Sequence, residues 1–180
     1  TRRSSDLPHA ISLQRVSKDA SDEESEAREI WVHDLCLNSK ASLGGDFKVQ
    51  DIRENFECLL EQVWDGVAED DALNALVVLA NIYPRGIAVL RSYVRYMGQI
   101  KYDYAAPTII EALCRHPNIA DAFVRLFEAQ FDPANKKNSQ TLCAGCQVEL
   151  DHHFEKVSNV EYDRIFRTIH SLLSNTLRTN

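Results

Sequence analysis

Cysteine and histidine near the C-terminus offer the most chemistry in this sequence, since Cys143-Ala144-Gly145-Cys146 is followed closely by His152-His153. Thiolate and imidazole are preferred zinc ligands, and C-x-x-C is half of many structural zinc sites. The spacing opposes that use if the segment is helical. Cys146 and His153 would then stand about 10 Å apart along the axis, whereas one ion gathers all its ligands within about 2.0–2.3 Å. Adjacent histidines also point about 100° apart on a helix. Cys143, Cys146, His152 and His153 therefore remain the weakest of metal candidates, and the simpler expectation is two small helix residues and two surface histidines. Gln147 stands where haem attachment would need a histidine.

The other candidate chemistry is weaker. His33, Asp34 and Cys36 include a base and a nucleophile, but alternation along a strand sends neighbours to opposite faces. Gly44-Gly45 is an isolated pair without the spacing of a phosphate-cradling loop. Arg85, Arg91, Arg95 and Lys101 are interleaved with Tyr93, Tyr96 and Tyr102, as a single-strand nucleic-acid surface might be. The tyrosines, however, fall on the apolar side of a helix, so salt-bridged packing or a docking surface explains the arginines better. No catalytic and no cofactor-binding residue is assigned, and the candidate inter-domain contact is Arg85, Arg91, Arg95 and Gln99.

The elements that would carry these residues are mostly helices. Residues 10–40 differ, because Ile11 and Leu13 alternate with polar neighbours and 30–37 is rich in β-branched and aromatic side chains, which predicts two antiparallel strands. The acidic run 17–28 between them is expected to be a mobile loop. Two strands alone are marginal, so residues 1–43 read as the tail of a partial α/β module. Beyond Gly45 the period lengthens. Ile52, Phe56, Leu59, Leu60, Val63 and Val67 define one face of a helix with Asp46 as candidate N-cap. A second helix is predicted over 71–82, a third from Pro84 to about Ile100, and two more opened by Pro107 and Pro117. A polar linker over 134–140 and helices at 141–156 and 160–177 complete the pattern. The fold class is thus mainly α, a bundle of about six or seven helices with a short N-terminal β-hairpin remnant, with a helical domain at 46–133 and a linker plus two helices at 134–180.

Bulk properties narrow the function further. The 180 residues are 44% apolar, enough for a real core, and 20 basic against 27 acidic residues leave a net charge of -7. That balance argues against nucleic acid as a partner. The longest apolar run, 75–80, is far below a membrane span. Five scattered cysteines read as reduced thiols, and the polar start without methionine reads as a cut end.

Three spaced stretches carry a family resemblance. Leu90-Arg91-Ser92-Tyr93-Val94-Arg95-Tyr96-Met97-Gly98-Gln99, then Arg115-His116-Pro117-Asn118-Ile119-Ala120, then Leu126-Phe127-Glu128-Ala129-Gln130-Phe131-Asp132-Pro133 resemble the large-subunit, NAD-specific glutamate dehydrogenases. Trp31-Val32-His33-Asp34 and 163–180 fit the same pattern, as the end of a preceding small module and the helix leading to the catalytic core. The resemblance implies a cytoplasmic, homo-oligomeric parent enzyme that uses NAD to turn glutamate into 2-oxoglutarate and ammonia. It implies that this chain is a non-catalytic structural or regulatory segment that binds no cofactor itself. Its partners would be the catalytic core and the upstream modules of the same polypeptide, with no nucleic acid and no membrane. The alternative is a stand-alone helical interaction or regulatory module without enzyme activity.

Overall fold

A computed structural model describes residues 11–15, 31–35 and 49–177. The chain divides into two compact units, Thr1–Phe47 and Lys48–Asn180. In the first, strands β1 (Ile11–Arg15) and β2 (Trp31–Leu35) pair antiparallel with Ile11 opposite Leu35. The acidic run 17–28 and the candidate cap Asp46 lie outside the described residues.

The second unit is helical throughout. Helix α1 (Val49–Trp64) buries Ile52 and Leu59 and half-buries Phe56 and Val63, as the period predicts. The apolar stripe extends to Val67 in the sequence, but the helix stops at Trp64 and Val67 is 78% exposed. Gly66 takes a left-handed φ of 71°, the conformation that ends helices and suits glycine best.

The helix expected over 71–82 is replaced by two short pieces, a 3-10 turn at Ala72–Ala75 and the single turn α2 (Leu76–Leu79). Two local hydrogen-bonding devices account for the difference. At the start, the Asp71 carboxylate accepts the Leu73 N–H at 3.0 Å and tightens the first turn. At the end, Asn81 adopts φ 52°, which asparagine tolerates better than most residues. Asn55 donates to the Asn81 side-chain oxygen at 2.9 Å, and Asn81 donates back to the Asp51 carbonyl at 3.2 Å, tying α1 to this turn. The expected burial nevertheless holds for Leu73, Leu76, Val77 and Ile82.

Helices α3 (Pro84–Gln99), α4 (Ala106–Arg115) and α5 (Pro117–Phe131) each carry proline in the first turn, where its missing N–H costs nothing. The linker expected over 134–140 is shortened from both sides by a 3-10 turn and by an earlier helix start. Asp132 caps a 3-10 turn at Pro133–Asn135, and Ser139 opens α6 (Ser139–Phe154) while donating to the Ala129 carbonyl at 2.6 Å. Asn159 then caps α7 (Val160–Asn175). The 3-10 turn interrupts the backbone and not the core. α5 lies at the centre, with Ile119, Ala120, Ala122, Phe123, Val124, Leu126 and Ala129 buried almost all round, and α3, α4, α6 and α7 pack against it. Phe123, Phe154 and Phe166 join α5, α6 and α7 with ring centroids 6.3–6.4 Å apart. Among the described residues no helix is long and apolar enough to cross a membrane.

One close approach fixes the α3–α5 contact. A Cβ on Gly86 would lie 2.8 Å from Ile82 Cγ2 and 2.8 Å from Val124 Cγ1, both on stiff β-branched side chains, whereas a Cβ on Gly98 meets nothing within 4 Å. The same substitution should therefore act with opposite signs on one helix. Gly86→Ala is expected to lower stability by about 1–2 kcal/mol through overpacking, and Gly98→Ala to raise it by about 0.5–1 kcal/mol through helix propensity. Urea midpoints of the two variants check this, provided the slopes match the parent chain.

Candidate contact site on the third helix

The arginines at 85, 91 and 95 all sit on α3, but the structure separates them. The helix buries Gly86, Ile87, Leu90, Arg91, Val94 and Met97, so Arg91 belongs to the inward face and drops out of the exposed contact set with Arg85, Arg95 and Gln99. Its guanidinium is held by three hydrogen bonds. Nε donates to Asp71 Oδ2 at 2.6 Å, and Nη2 donates to Asp71 Oδ1 at 2.9 Å and to Asn74 Oδ1 at 3.0 Å. This is a forked pair of the kind that suits partial burial. Burial alone would push the Asp71 carboxyl up, but Arg91 and the backbone N–H groups of Leu73 and Asn74 together hold it below its ordinary value. The pair thus locks the irregular 69–75 segment onto α3.

Spacing could have signalled this placement. Position 91 follows Ile87 by four and precedes Val94 by three, which puts it at the edge of the buried stripe. What spacing could not supply was its partner, twenty residues earlier.

Arg95 differs in every respect. It is exposed and hydrogen-bonds the Glu69 carboxylate, also half exposed, so this pair contributes about 0–1 kcal/mol and exchanges readily. Arg85 is exposed and forms no ion pair or hydrogen bond among the described residues. Arg85, Arg91 and Arg95 line one cleft of about 340 Å³ with Gln62, Glu69 and Ser92, walled by Val67, Ala68, Pro84 and Ala88.

The tyrosines lie on a neighbouring flank. Tyr93 is half-buried, packs edge-on against Phe127 at 6.4 Å and shares a 2.9 Å hydrogen bond with Thr176 beyond the end of α7. Tyr96 and Ile100 are each 47% exposed. With Leu172 and Asn175, Tyr93 and Tyr96 line a shallow groove between α3 and α7. The Tyr102 hydroxyl faces the core side and accepts from Thr168 at 3.0 Å.

Helix α6 places the cysteines and histidines as its pitch requires. Cys143 and Cys146 are half-buried against the core, His152 is exposed and His153 stands 3.6 Å from Glu149. Burial pushes the Cys146 thiol up, away from the thiolate a metal would need. No group of three or more histidine, cysteine or acidic side chains with metal-holding geometry occurs among the described residues. His33, Asp34 and Cys36 have no described side chains.

Comparison with known proteins bears on this helical unit directly. Residues 68–133 match the family described as glutamate dehydrogenase, helical motif 3. The chain is 33% identical over 150 residues to the NAD-specific glutamate dehydrogenase of Halomonas elongata, covering 83% of this chain and 9% of that protein. It is 35% identical over 157 residues to the enzyme of the same name from Pseudomonas aeruginosa, covering 85% and 10%. A third relative of that name, from Mycobacterium tuberculosis, is 32% identical over 123 residues, 66% of this chain and 7% of its own length. The chain spans about a tenth of the length of the curated relatives it matches. No solved structure matches.

Proposed function

We propose that this chain is a non-catalytic helical segment of an NAD-specific glutamate dehydrogenase, because residues 68–133 match that family's helical motif 3 and most of the chain is related to enzymes of that name. The parent, a cytoplasmic homo-oligomer, would oxidise glutamate with NAD to 2-oxoglutarate and ammonia. This segment would bridge upstream modules to the catalytic core in a structural or regulatory capacity. Its contact face would be Arg85, Arg95 and Gln99 with the adjoining Tyr96 and Ile100, all exposed on or just beyond α3.

The observation that carries the reading is the helical-motif match, which spans the packed α3–α5 centre of the unit. The fit of the residues to the cofactor supports the same division of labour. A dinucleotide pyrophosphate seats on a glycine-rich turn at a helix N-terminus, and α3, α4 and α5 open on proline instead. Gly86, the glycine nearest such an opening, is closed off by Ile82 and Val124. These three openings therefore offer no glycine-rich seat for a dinucleotide, in keeping with a non-catalytic role.

Two assays test the proposal. The 180-residue chain, given glutamate and NAD, is expected to form no NADH, and the full polypeptide encoded by the same reading frame is expected to form it. NADH from the chain alone would overturn the non-catalytic half. A frame that ends at Asn180 would favour a stand-alone interaction module.

A further inference from the structure

The geometry points to the α3 cleft as a binding site for a small elongated dianion, two carboxylate or phosphate groups joined by an apolar spacer. Three arginines line it against one carboxylate, Glu69, with Asp71 bound behind Arg91 and with Glu128 and Asp132 bordering Arg85 on its far side. Each arginine is in a different state, and each state favours a ligand. Arg91 is rigid, because Asp71 and Asn74 take its Nε and Nη2 hydrogens, and its Nη1 has no hydrogen-bond partner among the described residues. A guanidinium held in this way presents its remaining donors at little ordering cost. Arg95 is engaged only by the exposed Glu69, which occupies the place a ligand oxyanion would take. Arg85 makes no ion pair among the described residues.

Spacing defines the ligand. Arg91 and Arg95 are one helical turn apart, about 6 Å along the axis, and Arg85 lies about 9 Å further toward the N-terminus and about 120° round the helix from Arg91, so its long side chain meets theirs only through the shared cleft. One oxyanion between Arg91 and Arg95 and a second at Arg85 would span that interval. Val67, Ala68, Pro84 and Ala88 supply an apolar wall for the spacer. A single-charge ligand would leave Arg85 unused. Binding in the cleft stands or falls independently of the parent enzyme's activity.

Isothermal titration of the 180-residue chain at low salt, with adipate, butane-1,4-diol bisphosphate and acetate as probes, tests it. Adipate or butane-1,4-diol bisphosphate is expected to bind at one site, and acetate at least about tenfold more weakly for want of one charge-assisted contact. Whichever dianion binds more tightly identifies the carboxylate or the phosphate source. Arg85→Gln and Arg95→Gln should each weaken binding about tenfold, whereas Glu69→Gln should tighten it about threefold by removing the competing carboxylate. All three positions are exposed, so the fold is not at stake. Absence of binding by both dianions, or binding indifferent to Arg85→Gln and Arg95→Gln, would overturn the proposal.

Discussion

Phe166→Ala is expected to cost about 3–5 kcal/mol of unfolding free energy, the range for truncating a fully buried aromatic. Phe166 is wholly buried and sits where four segments meet. Its ring centroid is 5.3 Å from that of His116 at the α4–α5 junction, 6.4 Å from Phe123 on α5 and 6.4 Å from Phe154 on α6. Helices cannot collapse into such a cavity without shifting three neighbours, so relaxation recovers little of the loss. The loss should show as a lowered urea midpoint, and α7 amides should lose hydrogen-exchange protection before those of α3. A variant within about 1 kcal/mol of the parent chain would mean that α7 docks elsewhere.

Asp71→Ala should follow closely, at about 3 kcal/mol, because it strips the largely buried Arg91 guanidinium of its hydrogen-bonded carboxylate and leaves only the half-exposed Glu69, 4.0 Å away. It also removes the oxygen that caps the 72–75 turn. Replacing both partners together, as Asp71→Leu with Arg91→Met, should be milder than Asp71→Ala, since no unpaired charge remains. The pH dependence carries a defined sign. The Asp71 carboxyl is held below its ordinary value of 3.8, so its contribution is complete above that pH and is lost as pH falls through the depressed folded value. The parent chain should therefore lose stability below about pH 4 more steeply than Asp71→Ala does. Parallel acid curves for the two proteins would mean that Asp71 does not govern acid stability.

Much of the architecture is legible in the sequence because helix signals are local. The three proline openings and the 3.6-residue stripe of α1 need only residues within a turn or two of each other. The 71–82 segment departs from its pattern for a related reason. Its apolar content correctly indicates burial, but a buried 3-10 turn and a buried helix leave the same composition. Asn81 takes a left-handed conformation secured by Asn55 and Asp51, about thirty positions away, and no local pattern encodes that tie. The arginines of α3 show the same limit at the candidate site. Their spacing indicates a basic helix face, yet only Asp71 and Glu69 determine which arginine is locked, which is exchangeable and which is uncommitted.

The sequence alone thus settled the helical class, the helix openings set by proline, and the resemblance carried by the stretches at 90–99, 115–120 and 126–133. These depend on backbone preferences and on residues that must fill a core, both of which act over short range. The tertiary structure alone decided that Arg91 faces inward, that Gly86 is a packing contact and that three arginines and one glutamate share a cleft. Each of those facts rests on a contact between residues about sixteen to forty positions apart, and a pairing at that range is chosen by how whole helices settle against one another, which no single helix's pattern contains.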